Sequence, residues 1–134
     1  MTRPPVIPSD APLKDRLLNY IQRTDYVSFA ELRNHFAEAR EDGDCGLTLP
    51  GRPNSVMWRG MSDAYCDALA SLLKAGEIHP QTSCLMVYMV DGGMLTLPLG
   101  KRIGKTDFKK PHWIPVTLRC TEAVREHPAP VKEI

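Results

Sequence analysis

The side chains able to do chemistry are spread thinly along this chain. His35, His79, His112 and His127 stand far apart, and Cys45, Cys66, Cys84 and Cys120 include no Cys-x-x-Cys pair. Cys84 follows His79 by five positions and His112 precedes Cys120 by eight, spacings that do not supply the compact ligand pairs of a structural zinc site. Asp63 and Asp67 share a helix face at i, i+4, yet without a convergent third ligand they read as a solvated face. His35 is expected at a half-buried or surface position, and Cys66 as a small buried hydrophobe rather than a nucleophile. The run Gly100-Lys101-Arg102-Ile103-Gly104-Lys105-Thr106 ends in Gly-Lys-Thr, as a phosphate-binding loop does. That loop needs its first glycine five residues before Gly104, where Leu99 stands, and no long helix is expected to begin at Lys105. These residues predict no catalytic set, no metal and no cofactor, and the chain reads as a non-enzyme.

Charge carries more information. The formal net charge is only +1, but residues 101–119 hold Lys101, Arg102, Lys105, Lys109, Lys110 and Arg119 against Asp107 alone. The stretch 38–100 is net acidic. A basic strip on a near-neutral body marks either a phosphate-facing surface or the solvated side of a loop.

With 134 residues, 43% of them apolar and 25% charged, the chain has the make-up of one soluble domain. No apolar run approaches the ~20 residues that cross a bilayer. Arg3 is followed by Pro4, Pro5 and Pro8 rather than by the apolar segment of a signal peptide. Four dispersed cysteines point to free, mostly buried thiols in a reducing, cytoplasmic compartment.

The elements that must position these groups can be read from periodicity and caps. Residues 1–9 are proline-rich and expected to be a loose arm. Asp10 is an expected N-cap with Pro12 in the first turn, and Leu13, Leu17, Leu18 and Ile21 repeat at helical spacing. Tyr26-Val27 is expected as a very short strand. Ser28-Phe29-Ala30-Glu31 is a capping-box sequence opening a second helix faced by Phe29, Leu32 and Phe36. Residues 38–60 read as an ordered insertion pinned by Leu47, Leu49 and Trp58, with Trp58 as a packing anchor. Ser62 caps a third helix over 62–75, in which Tyr65, Leu69, Leu72 and Leu73 form one face and Gly76 supplies the stop. Two apolar runs, 84–90 and 94–99, flank Asp91-Gly92-Gly93 and read as a hairpin. Its strands are apolar on both faces, so they are either covered twice or present one face to a partner. Residues 113–118 look like an edge strand, because Pro115 cannot donate to a central ladder. Pro128 and Pro130 follow in a tail spanning 121–134.

Three short helices followed by a hairpin resemble the winged-helix arrangement. The phrase that carries the resemblance is Ala68-Leu69-Ala70-Ser71-Leu72-Leu73-Lys74-Ala75-Gly76-Glu77-Ile78, a leucine-rich helix, a glycine and an isoleucine ahead of the wing. The expected fold is therefore α+β: a winged-helix-like three-helix core over residues 10–120, a C-terminal hairpin and an additional edge strand. The insertion at 38–60 is longer than the usual joint, and extra chain follows the wing.

The resemblance implies duplex DNA as partner, with the third helix in the major groove and the wing on phosphates. The residues assign that contact to Arg52, Arg59, Lys74, Lys101, Arg102, Lys105, Lys109 and Lys110, as in a transcriptional regulator or accessory factor. The solvent side of the third helix, with Asp63 and Asp67 near its front, makes a poor reader of DNA. The other expectation is a protein-interaction or assembly module, or a homodimer, that buries the apolar hairpin against a partner through Met86, Tyr88 and Trp113.

Overall fold

The computed structural model describes residues 4–100 and 103–128. Helix α1 spans Leu13–Thr24 and seats Leu17 and Ile21 in the core. Pro12, not Asp10, occupies its N-cap, where a missing N–H costs nothing. Two residues ahead of it touch the helix: Asn19 Nδ2 donates to the Pro5 carbonyl at 2.9 Å, and Arg23 donates to the Pro4 carbonyl. A two-residue strand, β1 (Val27–Ser28), leads into helix α2 (Phe29–His35). Ser28 Oγ accepts from the Glu31 N–H at 2.9 Å, as the capping box predicts. The return contact is replaced: the Glu31 carboxylate accepts from the Tyr20 hydroxyl, and Ser28 Oγ donates to Asp91 at 2.6 Å.

The insertion is a long hairpin, β2 (Asp42–Leu49) and β3 (Arg52–Met61), reached through a single 3-10 turn at Ala37–Arg40. Pro50-Gly51 makes the turn, with Gly51 at φ +70°. Gly43 is required by close approach, since a Cβ there would meet the Met61 carbonyl oxygen at 2.2 Å. Helix α3 (Asp63–Lys74) follows, with Ser62 accepting from the Tyr65 N–H and Gly76 at φ +72° ending it.

Strand β4 (Ile78–Thr82) comes next, and beyond it the structure departs from the expected wing. Residues 84–90 do not form a strand. They form helix α4 (Leu85–Asp91), closed by Gly92 in the left-handed conformation, and 93–98 is irregular. A seven-residue apolar run cannot be assigned by periodicity alone. Here the helical face of Tyr88 and Asp91 is tied down: the Tyr88 hydroxyl donates to the Val116 carbonyl at 2.6 Å and accepts from the Phe29 N–H at 3.2 Å.

The expected edge strand is also corrected. Strand β5 (His112–Trp113) pairs in parallel with β3, and β6 (Val116–Cys120) is the centre of the sheet β1-β6-β4. Pro115 interrupts neither ladder, because it stands between the two strands, where the chain passes from the sheet β2-β3-β5 to the other. Its carbonyl accepts from the Ser83 N–H at 2.9 Å. A short helix α5 (Thr121–Glu126) completes the described chain, a mixed α+β fold with two small open sheets.

Trp58 sits between the layers, with ring centroids 5.9 Å from Phe29, 5.6 Å from Tyr88 and 6.1 Å from Trp113. Two buried tyrosines in this core should respond oppositely to loss of their hydroxyls. Tyr88→Phe leaves the Val116 carbonyl and the Phe29 N–H without a partner in the core, a loss of about 1–3 kcal/mol. The Tyr65 hydroxyl is buried with no hydrogen-bond partner among the described residues. Tyr65→Phe is therefore expected to be neutral or to stabilise by about 1 kcal/mol in urea unfolding. A Tyr65→Phe variant destabilised as much as Tyr88→Phe would contradict that packing.

Candidate interaction surface

The two aromatic residues expected at an interface are interior. Tyr88 and Trp113 are both buried, their ring centroids 5.0 Å apart. Met86 is exposed as expected, and it is not alone. Among the described residues four of the six exposed large apolar side chains fall within 86–94: Met86 at 67%, Met89 at 60%, Val90 at 81% and Met94 at 53%. Met86, Met89 and Val90 stand at i, i+3 and i+4 of α4, one stripe opposite the face that Tyr88 fixes. Strand alternation conceals Met89, Val90 and Met94 as one face with Met86. Their helical spacing was the available signal.

The basic residues expected at a phosphate surface differ in what they do. Arg52 is spent on the loop that follows: Nη1 donates to the Gly104 carbonyl at 2.9 Å, Nη2 to the Thr106 carbonyl at 3.1 Å, and Nε to Ser55 Oγ at 3.0 Å. It is a tie, not a free cation. Lys105, Lys109 and Lys110 are exposed on that loop, and Lys74 is exposed at the end of α3. Lys101 and Arg102 lie outside the described residues.

The acidic side of the molecule lies elsewhere. Cys45 on β2 is joined to Cys66 on α3 in a disulfide, which corrects the expectation of free thiols for these two residues. Cys84 and Cys120 remain free. The bridge carries exposed Asp44 toward the front of α3, where Asp63 and Asp67 are also exposed. Arg52 anchors the lysine loop at the other end of β3, a strand roughly 30 Å long at the usual rise.

Asp107 holds the lysine loop in place. Its carboxylate accepts from the Asn54 N–H at 2.7 Å and from Ser55 Oγ at 2.8 Å, and Arg52 Nε lies 3.9 Å away. Desolvation works to raise its pKa, but these donors together with the Phe108 N–H and the Arg52 charge outweigh it and leave the group below its ordinary value. A depressed carboxylate pKa means that the tie is intact above the unfolded value and is lost as pH falls through the folded one. The Asn54 amide resonance should therefore titrate with a midpoint below that of an ordinary aspartate. A midpoint at or above that value would show the tie absent.

A second feature adjoins α4. Asn34 Nδ2, on α2, donates to the Asp91 carbonyl at 2.9 Å, so the end of α4 rests against α2. Beyond that contact a recess of about 210 Å³ is lined by Arg33, Arg40, Arg59, Met94 and Leu95, with Glu41 and Asp42 at its wall. The three arginines are exposed, and among the described residues none is within 4.0 Å of a carboxylate. Arg40 donates to the Arg33 carbonyl at 2.9 Å, and Arg59 approaches Thr96 Oγ1 at 3.5 Å.

Among the described residues no three His, Cys, Asp or Glu side chains converge as a metal site. No described helix is long and apolar enough to cross a membrane. Comparison of the chain with family models, curated proteins and solved structures returns no match.

Proposed function

We propose that this chain is a protein-interaction module that docks a partner through the exposed face of α4. The observation that carries the reading is the methionine stripe of Met86 and Met89 with Val90, continued by Met94 beyond the helix end. Exposed apolar residues gathered on one face are the usual mark of an interaction site, and unbranched methionines conform readily to a partner. The sheet edges favour strand addition less. Strand β2 is broken by register shifts and points Asp42 and Asp44 outward, and β4 carries Pro80.

The scaffold under that face is read as winged-helix-like. Support comes from the order α1, β1, α2, α3, β4, β6, with β1 and β4 on either side of β6. In this reading the wing is the pair β4 and β6, and the described residues between them, including α4, stand where a wing tip would be. The exposed lysines Lys105, Lys109 and Lys110 favour a second reading, duplex DNA binding as a regulator. Against it stand the acidic front of α3 and the internal use of Arg52.

A photo-cross-linking amino acid in place of Met89, with Lys109 as the comparison position, tests the assignment in the native cell. Discrete protein adducts at position 89 and none at position 109 are expected. Adducts to nucleic acid, or adducts at position 109 alone, would reject the α4 surface in favour of the lysine loop.

A further inference from the structure

We infer that the partner segment docking here is an acidic amphipathic helix, whose apolar side chains meet the α4 methionines and whose carboxylates meet Arg33, Arg40 and Arg59. The inference rests on the interaction reading above and adds the chemistry of the occupant. Its basis is the continuity of the two features. Met94 is exposed like the α4 stripe and also lines the arginine recess, and the Asn34–Asp91 contact fixes the end of α4 beside Arg33. A partner covering Met94 therefore brings its next turn against the guanidiniums.

Charge decides the sign of that partner. The guanidiniums of Arg33, Arg40 and Arg59 have no carboxylate within 4.0 Å among the described residues, so incoming carboxylates can take bidentate pairs without displacing an internal one. Basic partners would be repelled from the same place. Glu41 and Asp42, at the wall of the recess, separate a peptide from a nucleic acid. A continuous run of phosphates would be forced against them, whereas a peptide can space its carboxylates to reach the arginines and leave both acids in water. Trp58 is no stacking platform for bases either, being buried between Phe29 and Tyr88.

The test uses the full chain and synthetic amphipathic peptides with leucine and phenylalanine on one face and glutamate, glutamine or lysine on the other, followed by fluorescence anisotropy. Mixed-sequence duplex DNA serves as a further arm. The glutamate peptide should bind at least about tenfold more tightly than the lysine peptide. Arg33→Glu and Arg59→Glu, both at exposed positions, should abolish or reverse that preference with the far-ultraviolet spectrum unchanged. Equal binding of the three peptides, tighter binding of the lysine peptide, binding of DNA alone, or no peptide binding would each overturn the acidic-partner inference. If protein adducts at position 89 persist in that event, the interaction surface stands and only its charge preference falls. Loss of both would take the interaction reading with it.

Discussion

Asp25→Ala is expected to lower stability by about 3 kcal/mol, an unusually large effect for a polar residue at the surface end of a helix. Arg119, at the centre of the sheet β1-β6-β4, is only 1% exposed, and Asp25 is its counter-charge, with Nε to Oδ1 at 2.9 Å and Nη2 to Oδ2 at 3.0 Å. Hydrogen bonding to Asp25 pushes the Arg119 pKa up, further than burial lowers it, so the guanidinium stays charged. Tyr26 covers it, with the guanidinium carbon 4.2 Å from the ring centroid. Removing the carboxylate leaves a charge inside the sheet with no partner of opposite sign.

The same residue holds a backbone that few side chains tolerate. Asp25 lies at φ 60°, ψ 153°, a region occupied almost entirely by glycine, and Tyr26 follows at φ 50°. Asp25→Gly should therefore lose less than Asp25→Ala, by about 1–2 kcal/mol, because glycine relieves the strain while forfeiting the same ion pair. Arg119→Met should cost less than Asp25→Ala as well, since it leaves behind a carboxylate that is 29% exposed and can hydrate. Urea midpoints at constant slope report all three. Equal losses for Asp25→Ala and Asp25→Gly would show that the backbone is not strained there.

The second large effect concerns binding. Met86→Glu combined with Met89→Glu should weaken affinity for the protein captured at position 89 by about a hundredfold or more, as expected when two central apolar contacts are replaced by charges. Both side chains face solvent in the free protein, so the thermal midpoint should hardly move. Titration calorimetry measures the first quantity and calorimetric melting the second. Unchanged affinity would remove α4 from the interface. A collapsed melting point would mean that the stripe is core.

Which parts of this architecture could be read from residues follows from what each residue type can signal locally. Ser28 and Ser62 announce helix starts because a hydroxyl three positions before a free N–H is a local geometry, and Gly76 announces a stop for the same kind of reason. The hairpin of β2 and β3 left a weaker trace. Asp42, Asp44, Gly46 and Thr48 are exposed while Gly43, Cys45 and Leu47 are half-buried, a true alternation, but Gly43 and Gly46 mimic loop composition. Gly43 is small because of the Met61 backbone, a neighbour no local pattern reveals. The disulfide joins residues 21 positions apart without a motif.

In α4 the ambiguity is one of period. In residues 85–91 the inward side chains and the outward ones are almost equally apolar, so alternation and helical spacing fit the same letters. What selects the helix is distant: the Phe29 N–H and Val116 carbonyl that bind the Tyr88 hydroxyl, and Ser28, which binds Asp91. Met86 was legible as exposed, whereas Tyr88 was not legible as buried. Arg33 and Arg40 carry no local signal, because a recess formed by α2, β3 and the chain after α4 exists only after folding.

The chain's six methionines offer the most direct measurement. In protein labelled on its methionine methyl groups, addition of the partner captured at position 89 should shift or broaden the Met86, Met89 and Met94 signals. The buried Met57, which does not line the arginine recess, should keep its signal. Unmoved Met86, Met89 and Met94 signals at saturating partner would contradict docking through α4.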